Sequence, residues 1–274
     1  MKNKLSWVMA AALFALPANA MAFTFAAGSL TSWSGCDGGC SSAGGLSYTD
    51  DQVSMFISEM QSAGHTKDHW YHNGNTWSSD LVEDYFGGED YFFTDPHTLY
   101  IFSGHGAAYN DSAGLQKFSA PMCHAGSNNS CSITSERTRL GERTGVFASS
   151  TGNIRWIILC TCYSVHTQPG QQWGDQFYYG TDIVFGYRGL SADSENTDEV
   201  PEDFAEASFS GGDKFKAGWF WAIEDWWVDD VGSLVASGTS SANANDRRDN
   251  MTKSWARRPN TQLHSYRAWS WHEG

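Results

Sequence analysis

The sequence predicts an α/β domain in which a mostly parallel sheet carries helices on both faces. Three short apolar runs, at residues 99–102, 156–159 and 183–185, have the length of strands and are rich in β-branched or aromatic residues. They are continuous rather than alternating, which is typical of strands buried on both faces of a parallel sheet. Predicted helices precede, separate and follow these runs, and this order indicates a layered α/β architecture.

The chain begins with the three parts of a secretory signal peptide. Lys2 and Lys4 form a basic region, residues 5–17 are apolar but too few to span a bilayer, and small residues follow at Ala20 and Ala22. This order predicts a signal peptide over residues 1–22, cleaved after Ala20 or Ala22. No later apolar stretch is long enough for a membrane span. We therefore expect a secreted or periplasmic protein without a stable membrane anchor.

The rest of the chain is expected to fold as one domain. The sequence shows no repeat of fixed period and no long low-complexity linker, so residues 23–274 are assigned to a single α/β domain. Its core is predicted at about residues 49–230, followed by a C-terminal extension. Residues 26–48 are rich in Gly and Ser, which favours an irregular loop before the core.

Three segments are predicted to be helical. The first begins at Thr49, where Gln52 three residues later completes a capping-box pattern, and it ends at Gly64. A short crossover helix is expected over residues 171–179. A longer helix is expected over residues 213–229, because apolar side chains recur there on one stripe.

Composition and charge exclude several kinds of partner. The 274-residue chain has 17 Lys plus Arg against 31 Asp plus Glu, which gives a formal charge of -14. Nucleic acids and anionic membranes are bound through clustered Lys and Arg, so neither is expected to be a partner. Only 18% of the residues are charged and 15% are aromatic, a composition that excludes bulk disorder.

The six cysteines fall into two groups. Because export places the chain in an oxidising compartment, short Cys-to-Cys loops are expected to close as disulfides. We therefore predict the pairs Cys36–Cys40 and Cys123–Cys131. Zinc binding by these four is less favoured, since the sequence has no Cys-x-x-Cys pair. The remaining two cysteines end an apolar run and need a separate explanation.

Two predicted strands lead directly into residues that can carry catalysis. The run 99–102 continues into Ser-Gly-His-Gly, which contains His105, and the run ending at residue 159 continues into Cys-Thr-Cys-Tyr-Ser, which contains Cys160 and Cys162. Ligands of open α/β sheets bind at the carboxyl ends of the strands. An imidazole at this edge can take the proton of a thiol and return it to a leaving amine. Cys162 lies further beyond its strand and is favoured as the nucleophile, with Cys160 as a packing residue or a redox neighbour.

These motifs resemble a clan of cysteine peptidases that contains caspases, metacaspases, legumains and gingipains. The shared pattern is a hydrophobic strand ending in His-Gly and a second strand ending in a small residue followed by the catalytic Cys. The stretch from about residue 80 to 227 is also similar to an uncharacterised family of bacterial exported domains, through Phe185-Gly186-Tyr187 and Ala217-Gly218-Trp219 as well. The caspase motif Gln-Ala-Cys-[Arg/Gln/Gly]-Gly is absent, and Cys160 occupies the place of its Gln.

The resemblance implies a caspase-like three-layer sandwich and a secreted cysteine endopeptidase that acts on a peptide or protein substrate. It implies that His105 and Cys162 are catalytic and that the amide groups of Gly106 and Cys162 bind the oxyanion. No cofactor and no metal are implied. The oligomeric state is left open.

An acidic segment follows the third predicted strand. Residues 193–206 contain seven acidic residues and no basic one, and Arg188 lies just before them. If Arg188, Asp193 and Glu195 border the substrate pocket, its carboxylates favour cleavage after Lys or Arg. The alternative is a solvated acidic loop without a role in recognition.

Two other functions remain as alternatives. One is a catalytically inactive domain of the same fold that binds a protein or a glycan through an aromatic-rich surface. The other is a metal-dependent hydrolase, because His65, His69 and His72 would share one face of a helix. However, Gly64 ends the preceding helix, and Asn73-Gly74 favours a strand followed by a turn. No metal site is therefore expected.

Overall fold

The computed structural model describes residues 22–38, 40, 43–126, 129–141, 153–174, 176, 180–225, 230–256 and 264–273. The predicted signal peptide lies outside this part of the chain, apart from Ala22. Within the described residues no helix is long and apolar enough to cross a membrane.

In the described part of the chain, ten strands form two sheets. In chain order they are β1 (Thr24–Ser29), β2 (Thr66–His72), β3 (Leu99–Ser103), β4 (Ala107–Asn110), β5 (Gln116–Pro121), β6 (Ser132–Thr134), β7 (Trp156–Cys160), β8 (Ile183–Tyr187), β9 (Val231–Gly238) and β10 (Tyr266–Glu273). The large sheet has the order β10-β9-β8-β7-β3-β1-β2, and β4, β5 and β6 form a small antiparallel sheet. The five strands from β2 to β8 in the large sheet are parallel, and β9 and β10 are antiparallel to them. The prediction of an α/β fold with a mostly parallel sheet is confirmed.

Six α-helices of the described ranges surround these sheets. They are α1 (Thr49–Ser62), α2 (Asp90–Phe93), α3 (Pro169–Gln172), α4 (Val200–Ala205), α5 (Phe215–Asp225) and α6 (Ser241–Asn250). One face of the large sheet packs against apolar residues of α1, α4 and α5, including Phe56, Phe204 and Trp219. The other face packs mainly against the small sheet and the residues around α3, including Phe118 and Trp173. Among the described residues, this second covering layer contains both the small sheet and the helix α3.

The three predicted apolar runs are the central strands β3, β7 and β8, and every residue of each is buried. Neighbouring strands pair in register, so that Leu99 lies opposite Trp156 and Ser103 lies opposite Cys160. The carboxyl ends of β3 and β7 consequently reach the same level of the sheet edge.

The sheet extends further along the chain than the predicted core of residues 49–230. The first strand, β1, lies between β2 and β3, although its residues were partly assigned to an irregular loop. Its Gly28 is required by packing, because a Cβ there would lie 2.4 Å from the Tyr100 hydroxyl. A small side chain at this position weakens the strand pattern that sequence analysis depends on. The segment expected to be a C-terminal extension supplies β9 and β10.

The predicted disulfide pairs are wrong. The structure joins Cys36 to Cys123 and Cys40 to Cys131 across 87 and 91 residues of the chain. The segment after β1 turns towards the β5–β6 hairpin, and the amide of Asp37 donates a 3.1 Å hydrogen bond to the Cys123 carbonyl. Each local pair of cysteines is therefore divided between two disulfides. Two disulfides are typical of proteins outside the cytoplasm.

Candidate functional site

The turns that follow β3 and β7 meet at one edge of the sheet. We call residues 104–106 and 161–163 the strand-end site. The amide of Gly104 donates a 3.3 Å hydrogen bond to the Cys160 carbonyl, which joins the two turns directly beyond the strands. Sequence analysis placed His105 and Cys162 at this edge, and the structure brings their backbone segments together there.

Gly106 allows the closest approach between the two turns. A Cβ at this position would lie 2.5 Å from the Cys162 carbonyl oxygen and 2.9 Å from Oγ1 of Thr161. Real Cβ atoms do not approach oxygen so closely, so any larger residue would push the turns apart. Glycine is therefore required here by the backbone of the turn that carries Cys162.

His105 is held by a backbone carbonyl and by an aromatic ring. Its Nε2 lies 2.8 Å from the Gly44 carbonyl oxygen, which also accepts a 3.2 Å hydrogen bond from Nε1 of Trp33. The Trp33 and His105 rings are stacked, with centroids 6.5 Å apart. A carbonyl oxygen can only accept, so Nε2 carries the hydrogen in this contact, and in the neutral imidazole Nδ1 is then the acceptor. The segment after β1 thus fixes which His105 nitrogen is able to take a proton.

Cys162 carries a half-buried thiol with a backbone partner. Cys160 and Cys162 are the free cysteines among the described residues. The amide of Ser191 donates to Cys162 Sγ at 3.3 Å, and the thiol faces the Ser191 carbonyl at 3.7 Å. Cys160 is the buried last residue of β7, and burial raises the pKa of its thiol far above the usual value. Of the two thiols, Cys162 is the one that a reagent or substrate can reach.

The backbone turns sharply after Cys162. Tyr163 has a φ of 56°, a left-handed conformation that is uncommon for a residue with a side chain. Its amide donates a 2.6 Å hydrogen bond to the Gly189 carbonyl, and its carbonyl accepts one of 2.9 Å from Nε2 of Gln172. Strained conformations of this kind persist where the surroundings fix them, and they concentrate at functional sites.

Ser164 anchors this turn to β8. Its hydroxyl donates to the Thr161 carbonyl at 2.8 Å and accepts from the Tyr187 amide at 3.0 Å. A Cβ on Gly186 would lie 2.2 Å from Ser164 Oγ, so the glycine of Phe185-Gly186-Tyr187 makes room for the anchor. Sequence analysis noted the motifs that contain Ser164 and Gly186, but it did not predict the contact between them.

The residues predicted to border a substrate pocket have other contacts. The Arg188 guanidinium lies over the Trp271 ring, 4.4 Å from its centroid. Asp193 accepts hydrogen bonds from the amides of Ser47 and Tyr48, at 2.6 and 2.9 Å, just before α1. Glu195 is exposed. The carboxylate of Asp193 thus connects the loop after β8 to the loop that supplies the His105 partner.

The acidic segment packs against α1. Gln52 of α1 donates a 3.0 Å hydrogen bond to the Thr197 carbonyl, which holds the segment against the helix. Burial and mutual repulsion raise the pKa values of Asp198, Glu199 and Glu202. Part of the acidic segment therefore forms α4 and the turn that precedes it.

The histidines considered as a metal cluster are not brought together. Residues 66–72 form a strand followed by a turn, as the sequence analysis favoured. His65 is buried against Phe23, with ring centroids 3.9 Å apart. His72 is half exposed and lies 3.6 Å from Asp50. His69 instead lies beside Asp68 and His97. Sequence analysis did not identify this group, because His97 is distant in the chain.

Comparison with known proteins gives a family for this chain. No curated protein matches it. A family model described as "Domain of unknown function (DUF6345)" matches residues 32–273, which include both turns of the strand-end site. The match spans well over half of the chain, and the protein therefore belongs to the DUF6345 family.

Proposed function

We propose that this protein is a cysteine endopeptidase with a caspase-like fold, in which Cys162 is the nucleophile and His105 is the general acid and base. The observation that carries the proposal is the meeting of the two turns beyond β3 and β7. It combines an accessible thiol, an imidazole with a defined tautomer, and glycines that permit close backbone approach. The strand order, with five parallel strands and an antiparallel strand beside β8, supports the likeness to the caspase fold.

The chemistry follows the usual sequence for a thiol nucleophile. Nδ1 of His105 takes the Cys162 proton as Sγ attacks the carbonyl carbon of the scissile bond. The amide groups of Gly106 and Cys162 are the proposed donors to the oxyanion. Collapse of the tetrahedral intermediate breaks the C–N bond, and His105 returns the proton to the leaving amine. Water then hydrolyses the thioester, which restores the thiol.

The Gly44 carbonyl acts as the third member of the proposed catalytic group, beside Cys162 and His105. A catalytic base needs a group that fixes its orientation and tautomer, and Gly44 does this for His105 through the 2.8 Å contact at Nε2. The developing imidazolium is also stabilised by this carbonyl dipole. Trp33 in turn holds the Gly44 carbonyl through its indole N–H.

We propose cleavage after basic residues as the specificity. The loop after β8 contains the exposed Glu195 and begins next to Ser191, which contacts the thiol. An exposed carboxylate close to the thiol attracts a cationic side chain of the substrate. Asp193 contributes less to this preference, because its carboxylate is occupied by the amides before α1.

A covalent label tests the assignment of the nucleophile. The chain over residues 23–274 is treated with a peptidyl thiol-directed probe that carries Lys at its reactive end, and the modified peptide is mapped by mass spectrometry. We expect one label, on Cys162, which is lost in Cys162→Ser and strongly slowed in His105→Ala. Cys160→Ser is the matched control and should keep the label. A label on Cys160, or equal labelling of His105→Ala, would overturn the dyad.

The exposed tryptophans favour the alternative of a binding domain. Trp269 and Trp271 on the edge strand β10 are 43% and 46% exposed, and large aromatic side chains at this exposure are typical of binding surfaces. If the probe fails to label Cys162 in the folded chain, this surface becomes the better candidate for function.

A further inference from the structure

Two histidines and one aspartate converge at the edge of the large sheet. Asp68 and His69 belong to the edge strand β2, and His97 lies between α2 and β3. Asp68 Oδ2 is 3.1 Å from Nδ1 of His69 and 3.5 Å from Nε2 of His97. All three atoms lie within 4.8 Å of one another. We call these residues the β2-edge cluster.

A β-bulge explains why two consecutive residues of β2 both reach this cluster. Adjacent side chains of a regular strand point to opposite faces of the sheet. The pairing of β1 with β2 shifts between Phe25, which lies opposite Lys67, and Ala27, which lies opposite Trp70. One residue of β1, Ala26, thus spans the same interval as two residues of β2, Asp68 and His69, and one of these two is the extra residue of the bulge. Bulges redirect side chains in this way and are common beside functional sites.

His97 presents a buried nitrogen to the cluster. Its side chain is 6% exposed, and Nε2 has no hydrogen bond of acceptable geometry within the described part of the chain. Such a buried polar atom is costly unless a partner satisfies it. The other nitrogen, Nδ1, lies 3.4 Å from Oγ1 of Thr24, which can accept its hydrogen. This tautomer leaves the lone pair of Nε2 directed at the cluster.

The His69 ring is positioned by its neighbours. It stacks on Tyr71, with centroids 4.4 Å apart, and meets the His97 ring edge to face at 5.1 Å. The Asp68 side chain is 61% exposed, so one side of the cluster opens to solvent. Two ligands are therefore fixed by packing, and the carboxylate is free to adjust.

We propose that Asp68, His69 and His97 form a binding site for one zinc ion. Two imidazole nitrogens and a carboxylate are a ligand set that Zn²⁺ prefers in proteins. Ligands about 2.0–2.2 Å from a tetrahedral ion lie about 3.3–3.5 Å from each other. Both separations from Asp68 Oδ2 are near this range. The fourth position faces solvent and takes water or an external ligand.

This site is distinct from the strand-end site. His97 precedes the amino end of β3, whereas His105 follows the carboxyl end of the same strand. The zinc ion would join the edge strand β2 to the segment before β3 and would take no part in the peptidase chemistry. The zinc proposal and the peptidase proposal are therefore independent, and each can be refuted without the other.

Calorimetric titration with Zn²⁺ tests the site. The tag-free chain is first freed of metal by a chelator that is then removed by dialysis. We expect one Zn²⁺ per chain, and a tetrahedral visible absorption spectrum when Co²⁺ replaces it. Loss of even an outer-shell partner weakens metal binding about 10–100-fold, so Asp68→Asn and His69→Ala should each weaken it by more than about 10-fold. His72→Ala, on the same strand but outside the cluster, should bind as the unmodified chain does.

The outcomes are separable even if one variant fails to fold. Asp68→Asn changes an exposed side chain and keeps its size, so its fold should be unaffected, and a circular dichroism spectrum checks this. Absence of Zn²⁺ binding by the unmodified chain would overturn the proposal. So would unchanged binding in Asp68→Asn and His69→Ala, or an equal loss in His72→Ala.

Discussion

Replacing His65 with Phe should make the free energy of unfolding less dependent on pH. His65 is only 4% exposed and stacks on Phe23, and Phe209 meets its ring edge to face. Neither ring nitrogen has a hydrogen-bond partner within the described residues. Burial, assisted by the nearby Lys253 cation, lowers the pKa of His65 from 6.5 to about 4. The folded protein therefore holds this ring in its neutral form.

The sign and size of the effect follow from this lowered pKa. The unfolded chain binds a proton at His65 near pH 6.5, and the folded chain binds it only near pH 4. The stabilising contribution is complete above pH 6.5 and is lost as the pH falls towards 4. The full shift corresponds to about 2 kcal/mol between pH 7 and pH 5. Residual solvent screening reduces the expected loss to about 1–2 kcal/mol.

Urea denaturation followed by tryptophan fluorescence at pH 7 and pH 5 measures this loss. The unmodified chain should lose about 1–2 kcal/mol more than His65→Phe over this interval. Taking the difference between the two proteins cancels the titration of all other groups. An equal pH-dependent loss in His65→Phe and the unmodified chain would refute the reasoning.

Three further predictions concern a buried ion pair, the close contact at Gly106 and the disulfides. Asp182→Asn should lower the free energy of unfolding, measured by urea denaturation, by about 3–5 kcal/mol, because it breaks a buried pairing with Arg155 and Arg247. Asp249→Asn at the surface should lower it by less than about 1 kcal/mol. Equal losses in the two variants would contradict this. Gly106→Ala should slow labelling of Cys162 more than 10-fold without unfolding the chain, through about 1–3 kcal/mol of local strain. Gly74→Ala, where a Cβ meets nothing within 4 Å, should label normally; a normal rate in Gly106→Ala would count against close contact of the turns. Peptide mapping without reduction should find the two long-range disulfides, and a peptide linking Cys36 to Cys40 would contradict the structure.

The central strands could be predicted because their sequence pattern is local and strong. Burial on both faces of a parallel sheet selects continuous apolar runs, and β3, β7 and β8 have this pattern. The helix α1 was predicted from Thr49 to before Gly64, and it spans Thr49–Ser62. Its capping box does not form. Gln52 instead accepts a hydrogen bond from the Ser103 hydroxyl at 2.5 Å and donates to the Thr197 carbonyl, so a tertiary contact replaces the local one.

The parts that were missed depend on contacts between distant segments. Disulfide connectivity cannot be read from spacing, because short loops are only one of several possible pairings. The partners of His105 and Cys162, namely Gly44, Trp33 and Ser191, have no motif of their own and are recognised only by position. In the β2-edge cluster, His97 follows β2 by 25 residues and a bulge aligns Asp68 with it. The meeting of the two turns at the strand-end site was predictable in outline, because both turns directly follow strands with a clear pattern.

Hydrolysis of a peptide library tests the central claim most directly. The purified chain and Cys162→Ala are incubated with the same library under reducing conditions mild enough to keep the two disulfides, and new amino termini are sequenced by mass spectrometry. We predict cleavage by the unmodified chain, chiefly after Lys or Arg, and its loss in Cys162→Ala, while Cys160→Ala cleaves normally. Equal cleavage by the unmodified chain and Cys162→Ala, or no cleavage by the unmodified chain, would contradict a peptidase that uses Cys162.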